Sequence, residues 1–220
     1  METLLQQIIN GLVLGSMYAL VALGYTMVYG IIKLINFAHG EVLMVGALTS
    51  WTIIGWMRDS MPGTPGWLVL LIAMLIACVV CAVINFSIEK IAYRPLRNSP
   101  RLSALITAVG VSFTIEYAVR QIFGAEPKVF PLQLSGQPMQ VLGARITMPQ
   151  LILMAVAAVL MVLLQRYVMH SREGRAMRAI ALDQNASLLM GVNVNKVISR
   201  TFFIGSALAG AAGVMAAAYY

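Results

Sequence analysis

The sequence predicts an all-α protein: a polytopic bundle of about six transmembrane helices, with its N-terminus outside. Three observations carry that prediction. Of 220 residues, 60% are hydrophobic and 10% charged, with a mean hydropathy of +0.85. Soluble domains carry about 25% charged residues, so there is too little polar side chain here to cover a water-facing surface. Uncharged runs recur, with no Asp, Glu, Lys or Arg in Thr3–Ile32 or in Val42–Met57. A helix of about 20 apolar residues spans roughly 30 Å of hydrocarbon. The alternating segments of about ten residues that mark barrel strands do not occur.

Six spans follow in order: Ile8–Tyr29, Ala38–Met57, Trp67–Ile88, Leu102–Phe123, Met148–Val168 and Thr201–Tyr220. The N-terminal METLLQQ lacks the basic flank and small-residue cleavage site of a signal peptide, so the first span is expected to be retained. Two connections are long: Gly124–Thr147, with three prolines, and Met169–Arg200, rich in charge. We read residues 1–220 as a single membrane domain carrying one large loop, 169–200. Lys33, Lys90, Arg94, Arg97, Arg101, Arg166, Arg172, Arg175, Arg178, Lys196 and Arg200, eleven of fifteen basic residues, fall on one side. Arg58, Lys128 and Arg145 fall on the other, and Arg120 lies within a span. Positive-inside bias makes the first side cytoplasmic and the N-terminus external. Trp56, Trp67, Phe123, Tyr219 and Tyr220 then lie at the outer interface, and Tyr93 and Tyr167 at the inner one, as an aromatic belt requires. The net charge of +7 thus reflects topology and contact with anionic lipid headgroups. Nucleic acid is not an expected partner.

Catalytic and metal motifs fail. Gly-Lys never occurs, so there is no phosphate-binding loop and the chain is not expected to hydrolyse ATP itself. There is no HExxH. His39-Gly40-Glu41 followed by Cys78-Val79-Val80-Cys81 echoes a zinc deaminase, but Ala77 stands where proline belongs and both thiols lie in an apolar span. Cysteines at i and i+3 on one helix face are read as small apolar fillers, with no metal expected.

Three features remain. In "KLINFAHGEVLM" (33–44), Asn36 is expected to cap a helix starting at Phe37, with Glu41 near its positively polarised end. Gly30 and Gly40 permit a tight reversal. The stretch suits either a discontinuous region lining a transport path or a solvated turn. The 169–200 loop reads as a short helix with a cationic side (Arg172, Arg175, Arg178) and a small apolar side. Asp183 or Asn185 is expected to cap a second turn, Gly191 to stop it and Asn195 to start the last span. It is either a headgroup-adsorbed helix or a docking helix for a cytoplasmic partner. Third, Gly11, Gly15 and Ala19, and the Gly205–Gly213 stretch, form ridges for close helix packing. Tyr18, Tyr25 and Tyr29 form one stripe that either packs or lines a path. Glu116 and Arg120 form a favourable i,i+4 pair.

"NGLVLGSMYALVALGYTMVYGIIKLINFAHGEVLMVGA" (10–47), with its Asn-Phe-Ala-His-Gly-Glu core, resembles the LivH-type permease subunits of bacterial branched-chain amino acid ABC importers. "IEKIAYRPLRNSPRLSALITAVGVS" and "GRAMRAIALDQNASLLMGVNVNKVISRTFFIGSALAGAAGV" are similar to later segments of the same family. The resemblance implies a bacterial inner-membrane permease that pairs with a second homologous permease, two cytoplasmic ATPases that bind and hydrolyse ATP, and an extracytoplasmic binding protein. It implies no cofactor for the chain itself, and alternating-access import of leucine, isoleucine or valine. Tyr18, Tyr25, Asn36, His39 and Glu41 are then expected along the substrate path. Gly174–Gly191, with Gly174, Arg175, Ala176, Ala179, Asp183, Ala186 and Gly191, corresponds to the loop that meets the ATPase. Family members continue past the equivalent of Tyr220 with a glycine-rich segment and further spans, so the chain is expected to be a shortened form. A urea or short-amide permease of the same family, a passive channel and a membrane-embedded enzyme are the competing readings.

Overall fold

The computed structural model describes residues 2–97, 99–131, 139–141 and 144–219. The described residues form eight α-helices: α1 (Glu2–Ile32), α2 (His39–Ser60), α3 (Gly66–Ile88), α4 (Arg101–Phe123), α5 (Met148–His170), α6 (Arg172–Leu182), α7 (Gln184–Leu189) and α8 (Val194–Tyr219). Six of them, all but α6 and α7, are long and apolar enough to cross a membrane. A short antiparallel hairpin, β1 (Met139–Val141) with β2 (Ala144–Ile146), interrupts the 124–147 connection. The sequence does not predict it. Gln6 reads the backbone of β2 from α1, donating to the Arg145 carbonyl at 3.0 Å and accepting from its N–H at 2.7 Å. Tyr220, expected at the outer interface, and Gln137 of the long 124–147 connection, expected outside, lie outside the described residues.

Helix ends depart from the hydropathy boundaries because hydropathy reads the solvent, not the hydrogen-bond ladder. Helix α8 starts seven residues before Thr201 and carries Lys196 and Arg200 beyond the apolar stretch. Helix α3 runs on through a π-helical turn, Glu89–Tyr93, and a 3₁₀ turn, Arg94–Leu96. Pro95 sits in that second turn, and Pro100 precedes α4. The reversal after α1 is made by Lys33 at φ 57°, not by Gly30 or Gly40, which lie inside helices.

Helix α8 is the centre of the bundle. Two-thirds (67%) of its apolar window is buried, against 11% for α4. Without a hydrophobic force between helices in lipid, backbone approach at small residues supplies the contact. A Cβ on Gly24 of α1 would come within 2.7 Å of the Gly205 carbonyl oxygen, and one on Gly46 of α2 within 2.8 Å of the Gly210 Cα. Gly210 lies as tightly against the Ala77 carbonyl of α3. The Gly205–Gly213 ridge therefore seats three helices on α8. The Gly11–Gly15 ridge does not pack against the described residues: none of their atoms lies within 4 Å of a Cβ on either glycine, and that face of α1 is exposed. Cys81 is a filler, buried beside Val42 and Ala209 with its thiol donating to the Val42 carbonyl at 3.3 Å.

Candidate functional site

The six residues 33–38 between α1 and α2 alternate, with Lys33, Ile35 and Phe37 exposed and Asn36 and Ala38 turned into the bundle. Ala38 is fully buried, and Asn36 and His39 are 5% and 3% exposed. Helix α2 begins at His39 behind Ala38, which offers no side-chain cap. Asn36 is thus not the cap that its position predicts. Its Oδ1 accepts from the Tyr93 hydroxyl at 3.0 Å, and its Nδ2 is buried without a partner among the described residues. The His39 ring stands edge-on to Tyr25, with centroids 5.7 Å apart and planes at 74°. The Val21 carbonyl lies nearby, and neither ring nitrogen meets it or another of the described residues in hydrogen-bond geometry. The ring fits because residue 24 is glycine: a Cβ there would press on His39 Cε1 at 3.2 Å.

These side chains meet in one cleft of about 420 Å³, lined by Tyr18, Tyr25, Thr26, Asn36, Phe37 and His39 among others. Four of the five residues expected along a substrate path line it. Tyr18 stands at its mouth, 63% exposed. Tyr29 also faces outward, so of the tyrosine stripe Tyr25 packs within this chain, against His39, while Tyr18 and Tyr29 are exposed. Glu41 belongs elsewhere. It lies in the first turn of α2, as expected, and its carboxylate accepts from the Ser112 hydroxyl of α4 at 3.1 Å.

Beside this cleft lies a polar cluster that the sequence does not reveal. Glu89, fully buried in the π-helical turn, forms a salt bridge with Arg97 and accepts from the Ser199 hydroxyl of α8 at 2.6 Å. Arg97 also donates to Asn195. Burial lowers Arg97 from its ordinary guanidinium value, and the neighbouring Glu89 carboxylate opposes the shift. Asn195, expected to start the last span, is therefore a partner of Arg97; Asn193 makes the cap, accepting from the Lys196 N–H at 3.1 Å. One turn deeper, Asn85 donates to Ser206 of α8. Glu89 and Arg97 stand eight residues apart, outside the i+3 and i+4 spacings that mark helical pairs. A lone acid ending an apolar span was the one available signal.

The 169–200 segment forms two helices, not one. Ser171 caps α6 by accepting from the Gly174 N–H at 2.8 Å. Gly174 is buried in the corner, where a Cβ would collide with the Tyr167 and Val168 carbonyls. Of the cationic side, Arg172 stays exposed, while the other two arginines reach back to α5. Arg175 donates to the His170 carbonyl at 3.2 Å, and Arg178 to the Val168 and Met169 carbonyls. Both thereby satisfy orphan acceptors at the negative end of α5. Met177 and Ile180 pack against Val28 and Ile31 of α1 and Val194, Ile198 and Phe202 of α8. Ala176 and Ala179 are half-buried on the flank. Arg200 of α8 pairs with Glu173, which also accepts from the Tyr167 hydroxyl at 2.5 Å.

Asp183 breaks the segment and caps α7, accepting from the Asn185 and Ala186 N–H groups at 2.8 and 3.0 Å. Gly191 follows that helix at φ +79°, a left-handed conformation that costs glycine little. What remains uncovered is the apolar tip: Ala186 is exposed, as are Leu182, Leu188, Leu189 (89%) and Met190 (84%).

Residues 7–220 match the family described as branched-chain amino acid transport system / permease component. The high-affinity branched-chain amino acid transport system permease protein LivH of Escherichia coli (strain K12) is 43% identical over 220 residues, covering 98% of this chain and 71% of that protein. LivH of Salmonella typhimurium is 42% identical with the same coverage. The permease protein BraD of Pseudomonas aeruginosa is 41% identical over 224 residues, again covering 98% and 71%. No solved structure matches the chain. With six apolar spans and a match over nearly all its length, the chain is a multi-pass membrane protein that belongs to the branched-chain amino acid transport permease family.

Proposed function

We propose that the chain is the permease subunit of an ATP-driven importer of leucine, isoleucine and valine in a bacterial inner membrane. The observation that carries this reading is the 43% identity over 98% of the chain to a permease of that transport class. Separate cytoplasmic ATPases supply the energy, a second homologous permease completes the path, and an extracytoplasmic binding protein delivers substrate. A branched-chain amino acid is a zwitterion with an apolar side chain, and the Tyr18–Tyr25–Asn36–His39 cleft suits it. It is apolar in most of its wall, and its lining includes the polar residues Tyr18, Tyr25, Thr26, Asn36 and His39. The exposed tip around α7 is the surface offered to the ATPase. Helix α6 ties that tip to α1, α5 and α8, so a push on α7 reaches the helices that wall the cleft.

The test is ATP-dependent uptake of labelled leucine into vesicles holding the chain with its ATPases, second permease and binding protein. Uptake without nucleotide would make the chain a passive channel. Ala186→Trp should abolish ATPase co-purification and uptake while leaving the permease inserted and monodisperse. ATPase recovery at the unsubstituted level would remove α7 from the coupling surface.

The orientation is checked separately. Single cysteines at Gly63, Ser99 and Asn185 in a cysteine-free background should react with an external impermeant thiol reagent only at position 63. Labelling at 185 in intact cells would invert the assignment of an outside N-terminus and cytoplasmic 89–101 and 169–200 connections.

A further inference from the structure

At the end of the bundle opposite α6 and α7, a second cavity of about 650 Å³ opens between α2, α4 and the 124–131 segment. It falls in the range of about 300–1,000 Å³ typical of small-molecule sites. Its wall combines aromatic surface (Trp51, Phe123, Phe130) with four charged side chains: Glu116, Arg120, Glu126 and Lys128. Two acids and two bases on one apolar wall sum to zero. That balance matches a ligand carrying one charge of each sign, whereas a simple cation or anion would leave one sign unanswered.

The charges have capacity to spare. Glu116 and Arg120 meet through one contact at 3.4 Å, longer than the roughly 2.7–2.9 Å of a tight charge-assisted bond. The Lys128 ammonium has no carboxylate partner among the described residues; it lies 4.8 Å from the centroid of the Trp51 ring. The walls, in contrast, are fixed. The Trp51 indole N–H donates to the Val129 carbonyl at 3.0 Å, and Arg58 donates to the Pro131 carbonyl, pinning the 124–131 segment to α2 at two points.

We propose that this cavity receives a free zwitterionic amino acid with an apolar side chain, its carboxylate on Arg120 and Lys128, its ammonium on Glu116 and Glu126, and its side chain against the aromatic wall. The proposal rests on the import reading and adds a site at the far end of the path from the His39 cleft. A phosphatidylethanolamine headgroup shares the zwitterionic chemistry, so the test separates the two sources.

The chain has three tryptophans, and Trp56→Phe with Trp67→Phe leaves Trp51 as sole reporter. In phosphatidylglycerol nanodiscs, L-leucine should change Trp51 emission saturably. Analogues lacking one charge, 4-methylvalerate and 3-methylbutylamine, should bind at least about tenfold more weakly. Arg120→Gln should weaken leucine by about tenfold and abolish its advantage over the amine. Glu116→Gln should instead abolish its advantage over 4-methylvalerate. A merely structural ion pair would move neither preference. The proposal is overturned if leucine gives no saturable change, if either analogue binds as well as leucine, or if phosphatidylethanolamine alone shifts Trp51. ATP-driven uptake with a flat Trp51 isotherm would remove this site and leave the import reading standing. A saturable isotherm without uptake would do the reverse.

Discussion

Gly213→Ala should cost about 3 kcal/mol or more, at the upper end of overpacking penalties, and leave little monodisperse protein. The added methyl would fall on the Leu43 carbonyl oxygen and the Ala47 nitrogen of α2. Those are backbone atoms of a continuous helix, so neither can rotate away as a side-chain tip would. Relief requires α2 and α8 to separate, which loosens the buried surface around Ala209, Ala212 and Val214. Gly11→Ala is the matched control. No atom lies within 4 Å of its new Cβ, and alanine stabilises a helix interior by about 0.5–1 kcal/mol over glycine. The two identical substitutions should therefore shift the unfolding midpoint in opposite directions, read by size exclusion after heating in detergent. Equal shifts would mean that α8 does not sit against α2 at van der Waals contact.

That contrast also marks what the sequence makes legible. Both small-residue ridges are visible as patterns, because lipid-embedded helices need small residues to approach. Which ridge is occupied within the chain is a tertiary fact: Gly205, Gly210 and Gly213 face neighbours, whereas Gly11 and Gly15 face outward. The six spans are legible because the bilayer dictates composition and length together. The turn chemistry of 171–191 is nearly so, since Asp183 and Gly191 act through their own local backbone. The destination of the arginines is not. Arg175 and Arg178 look like a headgroup-facing stripe until α5 is placed against them, and then they are caps on its last carbonyls.

The candidate site divides in the same way. His39 and Asn36 draw attention as polar residues between apolar runs, and the structure brings them together with Tyr18 and Tyr25. The expected capping role of Asn36 fails because Tyr93, 57 positions away, takes its oxygen. No local pattern encodes that partner. Nor does any encode the meeting of Glu89 with Ser199, which depends on the π-helical turn advancing the end of α3 onto α8.

The Glu89–Arg97 pair should show the signature of a buried ion pair: each half alone harmful, both together much less so. Glu89 is fully buried and the Arg97 side chain is 13% exposed, so solvent does little to screen either group. Glu89→Met leaves a guanidinium with Asn195 as its remaining side-chain partner and strands the Ser199 hydroxyl. Arg97→Met leaves a carboxylate facing a single hydroxyl. Breaking such a pair from one side costs about 3–5 kcal/mol, because the surviving charge keeps its desolvation penalty without its attraction. The double substitution removes both charges and fills the space with apolar side chains, an exchange that is often close to neutral. Its cost should fall well short of the sum of the single costs, giving a coupling energy at or beyond the upper end of the usual 0.5–3 kcal/mol range. Glu89→Gln separates charge from hydrogen bonding: it can still accept from Ser199 but cannot balance Arg97, and should lie near Glu89→Met. Additive single effects in the thermal midpoint would show that Glu89 and Arg97 act independently, each holding the end of α3 to α8 through its own partner, Ser199 or Asn195.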